Sequence, residues 1–200
     1  KKKFDVFGLE NNKLIIKKIM SGKSHINHIQ NDDIKKILKK NFFVTENYKL
    51  VNRADIIIIC LPTPMKKNFS PDMSIVKDCF KKLKDNLNYN QTIILESTVY
   101  PGATQEMFNN INKKFTVGKD FHLVYSPERE DPGNKKFPIN KMTKLVSGVT
   151  ERCSKIGEIF YKSIFKNVYL LSSMEACETT KLYENTYRSV GTRLSHYIYK

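Results

Sequence analysis

Residues 54–64, ADIIIICLPTP, are the stretch that most narrows what this chain can become. Five consecutive side chains, Ile56 to Cys60, are β-branched or thiol, with no polar residue between them. A strand with one wet face would alternate. An unbroken apolar run predicts a parallel strand covered on both faces. Pro62 and Pro64 then stop it, because proline lacks the donor that a ladder needs. Parallel neighbours require a crossover. DMSIVKDCFKKLKDNL supplies one as an amphipathic helix, with Asp72 or Ser70 as N-cap candidates.

The same alternation runs through the chain. KFDVFGLE (3–10) reads as a strand, NNKLIIKKIMSGK as a helix closed by Gly22, NDDIKKILKKN as a second helix and FFVTEN as a strand. QTIILEST (91–98), FHLVYSPE, KLVSGV and NVYLLSS read as further strands. YPGATQEMFNNINKKF and TERCSKIGEIFYKSIF read as helices. The expected class is α/β, a parallel sheet with helices on both faces. Ligands of such sheets bind beyond the carboxyl ends of the strands, which directs attention to Glu10, LPTP, EST and SPE.

From Ser172 the alternation gives way to one long helix, capped by Ser172 or Ser173 with Glu175 close behind. Tyr183, Tyr187, Val190 and Leu194 form an apolar stripe on it, and Lys181, Asn185, Arg188 and Thr192 a neighbouring polar face. The division expected is therefore a first domain over 1–171 and the opening of a second over 172–200.

A net charge of +15 invites a nucleic-acid reading. The lysines are scattered along helices with no arginine-rich face, so no nucleic-acid partner is expected. No apolar run reaches the 18 residues of a membrane span, and no membrane association is expected. Cys60, Cys79, Cys153 and Cys177 lack CxxC spacing and sit in apolar or helical contexts. They read as buried, reduced thiols of a cytoplasmic protein. His25 and His28 lack a third ligand and read as loop residues, so no metal is expected.

Each candidate at a strand end has a plainer alternative. Glu10 can accept the hydroxyls of an adenosine ribose or serve the next helix as an N-terminal acid. Pro62 and Thr63 can flank a planar ligand or make a turn. Ser97 and Thr98 can hold a ligand or cap a helix. Lys181 and Asn185, four apart, can stabilise an oxyanion or form a solvated face.

Taken in order, ADIIIICLPTPM, PDMSIVKDC, LESTVYPGATQEMF, YSPEREDPGNKKF, KLVSGVT and SSMEACETTKLYENTYRSV resemble the UDP-glucose/GDP-mannose dehydrogenase family. The likeness is nearest to its branch acting on UDP-N-acetylhexosamines, the UDP-N-acetyl-D-glucosamine 6-dehydrogenases of surface-polysaccharide synthesis. The resemblance implies a Rossmann-like doubly wound sheet lacking its first strand and glycine-rich loop, followed by the start of a long central dimerisation helix. It also implies NAD, a UDP-N-acetylhexosamine substrate and a homodimer at full length. The family oxidises the sugar C6 alcohol to a carboxylate in two hydride transfers through a cysteine thioester.

By that resemblance Glu10 takes the ribose, Pro62, Thr63, Ser97 and Thr98 lie along the cofactor, and Thr98 also reaches the reaction centre. Glu128 serves hydrolysis of the thioester. Lys181 and Asn185 stabilise the C6 oxygen and order the catalytic water. None of the four cysteines matches the family's nucleophile, so the chain is expected to be inactive alone, and without the glycine-rich loop it is expected to bind NAD weakly. The alternative expectation is a non-catalytic Rossmann remnant that binds a nucleotide sugar or a protein.

Overall fold

The computed structural model describes residues 4–40, 42–67, 70–111, 115–129 and 142–198. They form two compact units, with the boundary between Leu50 and Val51. In the first, β1 (Val6–Leu9) leads into α1 (Lys13–Met20), α2 (Asn31–Leu38) and β2 (Phe42–Thr45). The two strands are parallel, with Val6 opposite Phe42. The Asn12 side chain starts α1 by accepting Leu14 N–H at 2.9 Å. Gly22 closes it at φ +79°, a conformation that glycine adopts without strain. Ile19, Ile34 and Val44 form the core of this unit. His25 and His28 are exposed between the helices.

The second unit carries β3 (Ile56–Ile59), α3 (Ser74–Lys84), β4 (Thr92–Leu95), α4 (Ala103–Ile111) and β5 (His122–Tyr125). It continues with β6 (Thr143–Gly148), α5 (Glu151–Lys162), β7 (Asn167–Leu170) and α6 (Met174–Ile198). The strands lie in the order β3-β4-β5-β6-β7. The sheet is mainly parallel, as the alternation predicts, but β6 runs antiparallel to β5. FHLVYSPE and KLVSGV read as strands with no helix between them, and a chain without a crossover can return antiparallel.

A second expectation is corrected at β3. Ile57 and Ile59 are buried, but Ile58 is 44% exposed. β3 is an edge strand of the five-stranded sheet, and the face bearing Ile56 and Ile58 is less covered than the face bearing Ile57 and Ile59. The strands buried on both faces are β4 and β5, in which every residue is buried. Ile94, Val124, Val146, Cys153 and Tyr161 form the core between these strands, β6 and α5.

Helix starts follow local chemistry. Asp72 accepts Ser74 N–H at 3.0 Å ahead of α3. Thr150 Oγ1 accepts Cys153 N–H at 3.2 Å at α5, and Ser173 Oγ accepts Ala176 N–H at 3.1 Å at α6. α6 packs on β5 and β6, burying Met174, Cys177 and Glu178 and leaving Tyr183, Tyr187 and Val190 exposed. Among the described residues no helix is long and apolar enough to cross a membrane.

Candidate functional site

β3, β4 and β5 are parallel and in register, with Ile59, Leu95 and Tyr125 as successive partners, so their carboxyl ends lie side by side. Because β6 is antiparallel, it begins where β5 ends. Ser126 Oγ donates to Leu145 O at 2.7 Å across that pair. The chain beyond Tyr125 is therefore held residue by residue. Ser126 N–H donates to Leu95 O at 3.0 Å and Glu128 N–H to Glu96 O at 3.2 Å.

Glu128 and Lys181, far apart in sequence, are brought together here. Lys181 on α6 donates from Nζ to the Glu128 carbonyl. The Glu128 carboxylate accepts Arg129 N–H at 2.7 Å. Arg129 in turn ion-pairs with Glu184 of α6 and donates to Thr143 O at 3.1 Å. Burial holds Lys181 below the ordinary lysine range, Glu184 opposing it and Arg188 adding to it. Asn185 lies one turn further along α6 and is exposed.

The remaining candidates of the second unit stand at neighbouring strand ends. Pro62 is exposed and Thr63 half-buried just beyond β3. Ser97 is buried and already engaged: its Oγ accepts Leu61 N–H at 2.9 Å, tying the end of β3 to that of β4. Thr98 is half-buried beside it. Glu10 belongs to the first unit, where its carboxylate accepts Asn12 N–H at 2.8 Å just ahead of α1. That contact is the plainer role open to it. Glu130 and Asp131, read as shaping a loop, lie outside the described residues.

Sequence reasoning missed a buried network at this edge. Lys144 of β6 pairs with Glu96 at 2.7 Å, the two side chains being 4% and 9% exposed. Tyr161 OH also donates to Glu96. A lysine inside the apolar run TKLVSG was the available signal, since buried lysines are rare unless paired. Glu178 was missed as well. Its buried carboxylate accepts Gly102 N–H, Thr104 N–H and the Thr104 hydroxyl, capping α4 from α6. Burial raises that carboxyl, while the bonds from Thr104 and Gly102 pull the other way.

Three of the thiols are poor nucleophiles at neutral pH. Cys60 lies one residue past β3 and is exposed, which corrects its expected place in a buried strand. Its partly buried Sγ faces Glu96 Oε2 at 3.5 Å, and desolvation and that charge push the thiol up to about 12. Burial likewise raises Cys177 to about 12 and Cys79 to about 11. Cys153 and Cys177 are buried as expected, and Cys79 is half-buried. A cavity of about 350 Å³ near Thr150, Leu171 and Ser173 contains none of the expected site residues.

This arrangement has relatives. The sequence profile of the UDP-glucose/GDP-mannose dehydrogenase family, NAD binding domain, matches residues 1–168. Protein CapL of Staphylococcus aureus is 32% identical over 196 residues, covering 96% of this chain and 46% of that protein. The UDP-N-acetyl-D-mannosamine dehydrogenase of Pyrococcus horikoshii is 29% identical over 197 residues, 96% of this chain and 47% of that one. The solved UDP-D-ManNAc dehydrogenase of that organism superposes with a TM-score of 0.83 at 28% identity, over 94% of this chain and 46% of that one. The chain spans about half the length of the curated relatives it matches.

Proposed function

This chain belongs to the UDP-glucose/GDP-mannose dehydrogenase family, and we propose that the protein carrying it oxidises the C6 alcohol of a UDP-N-acetylhexosamine to the carboxylate, for surface-polysaccharide synthesis. Its cofactor is NAD. The residues present fit such a group: half-buried hydroxyls of Thr63 and Thr98 stand at adjacent parallel strand ends. There they can meet a planar amide or sugar hydroxyls. Pro62, Thr63, Ser97 and Thr98 would hold it, Ser97 by shaping the strand ends that its hydroxyl joins. NAD supplies the hydride acceptor.

The observation that carries the reading is the meeting of Lys181 and Glu128 at the carboxyl edge. Oxidising an alcohol builds negative charge on its oxygen, and a half-buried ammonium stabilises that charge more strongly than one in water. Lys181 supplies it, with Asn185 as an amide donor on the same helix. Lys181 and Asn185 also order the catalytic water, Glu128 serves hydrolysis of the thioester, and Thr98 lies beside the reaction centre. The UDP-N-acetyl-D-mannosamine dehydrogenase of Pyrococcus horikoshii named above supports the substrate class.

The test is Lys181→Ala in the native protein carrying this chain, assayed with NAD and UDP-N-acetyl sugars. Turnover should fall by roughly 10²–10³-fold with NAD affinity retained. Near-normal oxidation would sink the assignment. Since burial lowers the Lys181 pKa, the alkaline limb of kcat should fall below the ordinary lysine value of about 10.4.

A further inference from the structure

One peptide plane at the site is tied at both polar atoms to two residues that are themselves ion-paired. The unit linking Pro127 to Glu128 offers the Pro127 carbonyl and the Glu128 N–H. Glu96 O accepts that N–H at 3.2 Å. The Glu96 carboxylate holds Lys144 Nζ at 2.7 Å, and the same Nζ donates to Pro127 O at 3.3 Å. Tyr161 OH and Cys60 Sγ take up further lone pairs of Glu96. The Tyr161 and Phe165 rings lie 5.0 and 5.8 Å from the ammonium. The next carbonyl, that of Glu128, is the one on which Lys181 rests.

Stability alone does not explain this pair. Dehydrating two charges is costly, and apolar replacements of similar size are often neutral or stabilising. What the pair does achieve is to stop rotation of one peptide. We infer that the Glu96–Lys144 ion pair is a positioning device that fixes the Pro127–Glu128 peptide, and through it the placing of Glu128 and the Lys181 ammonium. This rests on the reading of Glu128 and Lys181 given above. Glu96 and Lys144 are positioning residues and touch no substrate. The antiparallel course of β6 is essential, since it puts Lys144 near the strand's start at the edge where β5 ends.

Glu96→Gln with Lys144→Met removes both charges together, leaving no lone buried ion, and the introduced amide can still accept from Tyr161. In the native protein this pair of substitutions should lower kcat by about 100-fold, the scale expected of a misplaced reacting group. KM for NAD and for the UDP-N-acetyl sugar should stay within about threefold, a split that general destabilisation would not give. Tyr161→Phe keeps the ion pair and should lower kcat only a few-fold, which guards against a double variant that does not fold. Hydrogen exchange at the Glu128 amide should accelerate at least about tenfold in the double variant. Unchanged kcat, or unchanged exchange at that amide, would overturn the inference. If the parent protein oxidises no UDP-sugar, the functional reading fails by itself, and amide exchange still decides the positioning role.

Discussion

His122 begins β5 with both ring nitrogens buried and, among the described residues, neither in a hydrogen bond of good geometry. Burial, and then the charge of Arg152, lower its pKa from the ordinary histidine value, with the Gln91 carbonyl opposing. The sign of the consequence follows from proton binding. The unfolded chain takes up the proton first, so the stability due to neutral His122 is fully present above about pH 6.5. It is lost as pH falls from there towards the lower folded value. His122→Leu removes two orphaned nitrogens and should stabilise the fold by about 1 kcal/mol at neutral pH. It should also flatten the acid limb of stability, and urea unfolding at pH 7.5 and pH 5 measures both. A variant no more stable than the parent, with the same acid limb, would show that the nitrogens find water partners. At this scale the places of Glu128 at a strand end and of Lys181 on a helix were legible, because strand ends and helical spacing are local properties, whereas their roles came from the family resemblance. Glu96, Lys144 and Tyr161 were not legible, because a buried charge is spelled like a surface one and its partners lie far along the chain.

At the scale of elements, the start of α4 shows how one helix depends on another. Gly102 precedes it at φ +84°, and a glycine has no side chain with which to cap. The cap comes from Glu178 of α6, whose carboxylate takes two backbone N–H groups and one hydroxyl. Glu178→Ala would strand those donors in a buried site, at a cost on the order of 3 kcal/mol. For a chain of this size that should lower the Tm by roughly 6–12 °C. Faster amide exchange should be confined first to the beginnings of α4 and α6. A Tm within a degree of the parent would mean that water replaces the carboxylate. Elements whose signals are local were readable in advance: Asp72 and Ser173 stand at helix starts, where their side chains reach early N–H groups. Strand direction is different. Nothing in KLVSGV encodes whether it runs with or against β5, and the buried flank of Ile56–Ile59 depends on which neighbours the sheet supplies.

At the scale of the whole molecule, the exposed stripe on α6 meets the net charge. Tyr183, Tyr187 and Val190 are 70%, 73% and 60% exposed along one helix of 25 residues. Two aromatic rings and a valine in a row are costly to leave in water, and pairing with a second copy would cover them. We propose this stripe as the homodimer face expected of the family. Each copy carries +15, so self-association must overcome repulsion. Added salt screens that repulsion, and the dimer should therefore tighten between about 50 mM and 500 mM salt. Binding to nucleic acid has the opposite sign, because it gains from counterion release and weakens as salt rises. Sedimentation or light scattering across that range, with and without a DNA duplex, separates the two. Tyr187→Glu should leave the fold's circular dichroism unchanged and abolish the dimer at every salt concentration. A native protein carrying this chain that stays monomeric at about 100 μM in high salt would remove the stripe from consideration as a self-association face.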